Sequence, residues 1–121
     1  MTDRELLELA AKAAGIEWTK AATEKGAELE PVFGLWLTLH GEPYEGQRRR
    51  WNPLTDDGDA LRLAVNLGLV IEIGYAARGF LVVRTNTDNW KEFREAWGND
   101  PYAATRRAIV RAAAAIGEQM K

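Results

Sequence analysis

The chain of 121 residues contains no cysteine, no serine and a single histidine, His40. These absences remove a Ser or Cys nucleophile, disulfide bridges, thiolate zinc centres and any two-histidine metal site within one chain. Long apolar runs are also missing: none approaches the roughly 20 residues that a membrane-spanning helix needs. The leading residues Met1-Thr2-Asp3-Arg4-Glu5 offer neither a basic n-region nor an apolar h-region, so a cytoplasmic protein without membrane association is expected. A net charge of −2 and a pI near 5.5 lack the basic footprint of a general nucleic-acid binder.

What is present is ordinary in bulk. Hydrophobic residues at 46% and charged residues at 28% suit one globular domain spanning residues 1–121, long enough to bury a core without staples. The cations are skewed in kind, with eleven Arg against five Lys, and some of them cluster: Arg48, Arg49 and Arg50 are consecutive, and Arg106, Arg107 and Arg111 fall near the C-terminus.

Residues 2–14 read as a helix. Thr2 and Glu5 have capping-box spacing, and Leu6, Leu9, Ala10 and Ala13 recur at helical spacing. Glu8 and Lys12 are placed as an i,i+4 pair, and Gly15 is a natural stop. Residues 16–21 suit a short strand, and the alternation over 32–40 predicts a longer one. Residues 41–54 read as a connector rich in Gly, Pro and Arg. A second helix is expected over 57–67, with Thr55, Asp56 and Asp57 as cap candidates and Gly68 as its end. Asp59, Arg62 and Asn66 form its polar stripe. Ala60, Leu61, Leu63, Ala64, Val65 and Leu67 cover the rest, which predicts a largely buried helix.

Two strands follow, over 69–75 and 79–85. Residues 90–97 fit either a helical face or an alternating strand, and the preceding antiparallel pair favours the strand. Asp100 as N-cap and Pro101 at the first helical position start a last helix. Its inner stripe is expected to hold Thr105, Ile109, Ala112, Ala113, Ile116 and Met120, with Ala103, Arg107, Arg111 and Ala114 outside. The order helix, two strands, helix, three strands, helix gives an α+β fold: three helices and a mostly antiparallel sheet of about five strands.

Arg48, Arg49, Arg50 and Trp51 are the candidate partner-binding residues. Guanidinium forks beside an aromatic ring suit phosphate or single-stranded nucleic acid, through charge and base stacking. The plainer alternative is a solvated loop with Trp51 turned into the core. Asp56, Asp57 and Asp59 invite a metal reading but fail the EF-hand pattern, which would place Pro53 and Ala64 at ligand positions; caps for the second helix explain them better. His40 ends a strand without a nucleophile beside it. Arg106, Arg107 and Arg111 suit either an anion-binding face or ion pairs with nearby carboxylates. Of the five Trp, exposed ones would mark a partner surface and buried ones the core. There is no phosphate-binding glycine motif, and no catalytic, cofactor or metal residue is assigned.

Two segments together resemble a known family. One runs from Trp51 to Ala64, Trp51-Asn52-Pro53-Leu54-Thr55-Asp56-Asp57-Gly58-Asp59 continuing into the second helix. The other runs from Asn99 to Ala114 and opens on Asn99-Asp100-Pro101-Tyr102. The pairing resembles the small bacteriophage and prophage proteins of the phage ABA-sandwich domain type, and Ala13-Ala14-Gly15-Ile16 at the end of the first helix agrees with it. The motifs cover about a quarter of the chain; residues 19–50 match nothing. The resemblance implies a three-layer α-β-α sandwich and a phage or prophage origin, and it carries no reaction or cofactor. The expectation is therefore a non-enzymatic accessory protein that binds a host or phage macromolecule. The alternatives are a nucleic-acid or nucleotide-binding module using Arg48 to Trp51, or a carboxylate enzyme using Asp56 and Asp57 with a divalent metal.

Overall fold

Each helix starts and stops where its local chemistry dictates. In the computed structural model, which describes residues 1–16, 18–19, 35–37, 49–74, 78–86 and 91–120 (18–19, 35–37, 49 and 50 by backbone alone), helix α1 covers Asp3–Ala14. The Thr2 hydroxyl accepts the Glu5 backbone N–H at 3.1 Å, and Gly15 closes the helix at φ 70°, a left-handed conformation that glycine adopts without a Cβ penalty. Helix α2 covers Asp57–Leu67, capped by the Asp56 carboxylate on the Asp59 N–H at 2.8 Å and ended by Gly68. Helix α3 covers Pro101–Gln119, capped by Asp100 on the Ala103 N–H at 3.1 Å, with Pro101 in the first turn.

The strands form two antiparallel sheets. Strands β1 (Trp18–Thr19), β2 (Leu35–Leu37) and β3 (Arg49–Trp51) pair in the order β1-β2-β3. Strands β4 (Val70–Glu72), β5 (Phe80–Arg84) and β6 (Glu92–Ala96) pair in the order β4-β5-β6. The fold is thus α+β, with three helices among the described residues. The sheet on which the helices pack has three strands rather than about five. The strand reading of residues 90–97 holds for 92–96. The connector reading of 41–54 does not hold at its end: residues 49–51 pair with β2 in the register Leu35↔Trp51, Trp36↔Arg50, Leu37↔Arg49. A Gly- and Pro-rich approach hides a three-residue strand whose last residue is a buried Trp.

Helix α3 is the hub. It packs on α1, α2, β5 and β6. Leu81 and Val83 of β5, with Phe93 of β6 and Ile71 of β4 beside them, join the core that also holds Ala108, Ile109 and Val110. Burial on several sides explains why the expected inner stripe is too narrow. Val110 and Ala114 are buried as well, whereas Met120 is 43% exposed. On α1, Leu7 and Ala11 are buried with Leu6 and Ala10, while Leu9 and Ala13 lie at the margin.

Helices α1 and α3 run parallel, as three contacts show. Asp3 pairs with Arg107 at 3.0 Å, the Leu9 carbonyl faces Gly117, and the Lys12 ammonium donates to the Met120 carbonyl at 2.8 Å. Lys12 therefore sits where two helix C-termini converge, its charge opposing both dipoles. It is not paired with Glu8, which instead takes Arg4 at 3.1 Å. A Cβ on Gly117 would lie 2.1 Å from the Leu9 carbonyl oxygen. Only a hydrogen fits there, aimed at that oxygen in the manner of a Cα–H···O contact.

Gly117→Ala should lower stability by about 2 kcal/mol or more in urea titration. The steric clash with backbone outweighs the roughly 1 kcal/mol of helix propensity that alanine brings. A net gain in stability would contradict the backbone-to-backbone packing.

Candidate functional site

The segment that opens α2 folds as a clip. Trp51 is 2% exposed and sits in the core cluster. The side-chain carbonyl of Asn52 accepts the Leu54 N–H at 3.0 Å, and its backbone carbonyl accepts the N–H groups of Thr55 and Asp56 at 3.1 and 2.9 Å. This is an asparagine turn around buried Pro53, the geometry that Asn-Pro favours. The buried Asp59 carboxylate accepts the Asn52 N–H at 3.0 Å and an Arg62 guanidinium N–H at 2.9 Å. Gly58 leaves room for that guanidinium: a Cβ there would meet the two Arg62 terminal nitrogens at 3.1 and 3.2 Å. Asp59 is thus an internal organiser of the clip, not a member of a solvated stripe.

The acids expected as caps or metal ligands divide by role. Asp56 caps α2, Asp57 accepts from Arg106 at 2.6 Å, and Asp59 is held inside the clip. Among the described residues no group of three or more His, Asp or Glu is placed to hold a metal ion.

The arginines of α3 each reach a different element. Arg106 donates to the Leu54 carbonyl at 2.8 Å and to Asp57, which locks α3 to the clip. Arg107 reaches Asp3 of α1. Arg111 donates to the Arg94 carbonyl at 3.0 Å, pairs with Glu95 of β6, and lies 5.5 Å from the Phe93 ring. The ion-pair reading of these three residues matches this geometry.

Of the candidate partner-binding residues, Arg48 lies outside the described residues, as does His40. Arg49 and Arg50 are in strand β3 and not in a loop. Trp51 is 2% exposed in the core cluster that also holds Leu7 of α1 and Leu63 of α2, so its ring presents no face on which a base could stack. For Trp51 the plainer reading holds: its ring belongs to the core, as a residue of a strand and not of a loop.

A different surface stands out. A groove of about 440 Å³ lies between the N-terminal halves of α2 and α3, within the size range of ordinary ligand pockets. Its walls include Leu61 of α2, Ile71 and Ile73 at β4, Trp97, and Tyr102 and Ile109 of α3. Leu61 is 61% exposed, Tyr102 69% and Ile73 48%; Val65, one turn along α2 from Leu61, is 72% exposed. Three of the large exposed apolar side chains, Leu61, Ile73 and Tyr102, thus line one concavity. Helix α2 is therefore not largely buried, because Leu61 and Val65 face away from the core. The signal is legible in the sequence: a helix apolar on nearly every face is either enclosed or keeps a second face for something else.

A second recess, on the opposite face of the β4–β6 sheet, is charged. Glu72 pairs with Arg84, Glu92 with Arg94 at 3.4 Å, and the Arg94 guanidinium lies 5.2 Å from the Phe80 ring. Glu72 of β4, Arg84 of β5 and Glu92 and Arg94 of β6 make up this ladder.

No family model matches the chain, no curated protein is detectably similar in sequence, and no solved structure is detectably similar in fold. The site is read from its own geometry.

Asp59→Ala should cost about 2–4 kcal/mol in chemical denaturation, because it leaves the Asn52 N–H unpaired in the interior. Asp59→Asn, which keeps an acceptor, should cost distinctly less. Equal losses would show that the charge, and not the hydrogen bond, holds the clip.

Proposed function

We propose that this chain is a non-enzymatic interaction module, a phage or prophage accessory protein whose partner is a host or phage protein bound at the α2–α3 groove. One observation carries the reading: Leu61, Ile73 and Tyr102 line a concave apolar surface and stay exposed there, outside the buried core. Apolar patches of this kind on a folded chain mark interaction sites. The chemical inventory supports it from the other side. The chain has no Ser or Cys nucleophile, and the described carboxylates of the clip are engaged as caps and ion-pair partners. The phage assignment rests on the resemblance of residues 51–64 and 99–114.

The same resemblance underlies a finer reading of the fold as a three-layer α-β-α sandwich. Helix α3 covers the Leu81 and Val83 side of β5. Val82, on the other side, is 4% exposed and lines the charged recess among Glu72, Arg84, Glu92 and Arg94. A cytoplasmic location fits a chain without cysteine in which no described helix is long and apolar enough to cross a membrane. The nucleic-acid reading would now depend on Arg48 to Arg50 without a stacking ring.

The test compares two baits at micromolar concentration in a bacterial lysate, the native chain and a Leu61→Gln/Tyr102→Ala double variant. A partner retained by the first and lost by the second is the expected result. No specific partner, or equal recovery by both, overturns the groove as the interaction site. Single-stranded oligonucleotides should show no salt-sensitive binding to either chain.

A further inference from the structure

Strand β6 is an outer strand of its sheet, with β5 on one side only. Its pairing fixes which backbone groups face outward. The Thr85 N–H donates to the Lys91 carbonyl at 3.0 Å, and the Trp97 N–H donates to the Gly79 carbonyl at 2.7 Å. Residues 91 and 97 therefore turn their backbone to β5, and by the alternation of an antiparallel ladder so do 93 and 95. The N–H and C=O groups of Glu92, Arg94 and Ala96 point away from the sheet. No Pro or Gly interrupts this edge. Among the described residues, only the Arg94 carbonyl of these outward groups has a partner, the Arg111 guanidinium at 3.0 Å. Arg111 reaches it from the side of α3, where it also holds Glu95, and a carbonyl oxygen has a second lone pair. An edge of this kind is a template for another strand.

The side chains decide which strand. Laid antiparallel on itself about Phe93, the run Lys91-Glu92-Phe93-Arg94-Glu95 complements itself at every position. Lys91 of one copy faces Glu95 of the other, Glu92 faces Arg94, and Phe93 faces Phe93, so that each charge pair occurs twice. The backbone agrees with this register. Glu92 and Arg94, whose N–H and C=O groups point outward, become the hydrogen-bonded pair, and the two Phe93 residues form a non-hydrogen-bonded pair, in which side chains approach closely. Moving the centre to Glu92, Arg94 or Glu95 sets that residue against its own like charge. Opposite charges and aromatic rings directly across a ladder stabilise it, and like charges oppose it. The charges are also accessible: the Arg94 side chain is 65% exposed, that of Glu92 33%, and exposed Lys91 has no ion-pair partner among the described residues.

We propose that β6 is a self-association edge, through which two copies of this chain join their β4–β6 sheets into one antiparallel sheet across a two-fold axis at Phe93. Charges that deter an arbitrary strand are here matched to a second copy. The groove lining includes no residue of β6, so this inference stands apart from the interaction reading. One short strand pair lies at the low end of interface size, which makes the dimer reversible.

Sedimentation of the full chain over roughly 5–500 µM at low salt is expected to pass from monomer to dimer, with a dissociation constant on the order of 10–100 µM. Salt at about 0.5 M should weaken the dimer several-fold, because the paired charges lie near the surface. Glu92→Arg alone and Arg94→Glu alone each set like charges across the axis twice and should weaken self-association about tenfold. Glu92→Arg/Arg94→Glu exchanges the two signs and should restore it. An equimolar mixture of the two single variants should form a heterodimer although neither pairs with itself, which also shows both to be folded. In amide hydrogen exchange, Glu92 and Arg94 should gain protection as concentration rises.

A chain that stays monomeric over the whole range overturns the proposal. So does a dimer that the single variants leave intact, or a loss of pairing that neither the mixture nor the double exchange restores. A dimer abolished by Leu61→Gln and indifferent to the charge exchanges places self-association at the groove and overturns the β6 edge.

Discussion

Backbone meets backbone where α1 crosses α3. Gly117 stands against the Leu9 carbonyl with no space for even a methyl group, and Ala10, Ala11, Ala112, Ala113 and Ala114 are all buried. An interface of Ala and Gly gains little from any one side chain. Its advantage is that ordering it costs no rotamer entropy, and close approach multiplies weak dispersion contacts along both helices. Much else follows. Because the helices are parallel, Arg107 meets Asp3 at one end and Lys12 meets the last carbonyls of α3 at the other, which pins the register. With α1 on one side, α3 turns Ile109 and its neighbours to the sheet and Arg106 to the clip that starts α2. A shift of one residue at Gly117 would bring a side chain into the Leu9 carbonyl and pull each of those contacts out of line.

The clip shows why a recognisable stretch of sequence need not be a site of chemistry. Trp51 anchors the core, Asn52 makes the turn and Pro53 stiffens its corner. Asp56 caps the helix, Gly58 gives clearance and Asp59 accepts from within. The polar groups are mutually satisfied, so the segment is an organised polar network whose parts support one another. It also fixes the start of α2, since the Asn52 carbonyl and the Asp56 carboxylate together settle the N–H groups of Thr55, Asp56 and Asp59. Through Arg106 the clip is joined to α3, so one side of the groove is built by residues whose first duty is structural.

The features legible from sequence are those governed by residues close together along the chain. Thr2, Asp56, Asp100, Pro101, Gly15 and Gly68 are readable because capping is decided within a single turn. The alternation of Phe93 and Glu95 with their neighbours identifies β6 for the same reason. What is not legible depends on elements distant in sequence. Whether Leu61 and Val65 are covered depends on what packs on α2, and Ala114 looks like an outer residue until α1 is placed beside it. Strand β3 exists because β2, twelve residues or more upstream, offers it a register. Asp59 and Arg62 do share one stripe, as their spacing predicts, but the burial of the acid follows from an Asn52 N–H that points at it.

The groove joins these two levels. Its apolar walls come from side chains of α2, α3 and the β4 edge beyond what the core takes up, and its one ion pair joins the start of α2 to α3. A helix needs an acceptor at its start, and acids are the strongest choice beside a positive dipole end. Where the two helices begin, the caps Asp56 and Asp100 meet the first-turn acids Asp57 and Asp59 of α2, and Arg106 ties α3 to Asp57 and the Leu54 carbonyl. The surface left over is an apolar groove whose lining carries one ion pair, Asp57 with Arg106. The caps Asp56 and Asp100 hold the two helix starts, so the groove takes its shape from the requirements of folding.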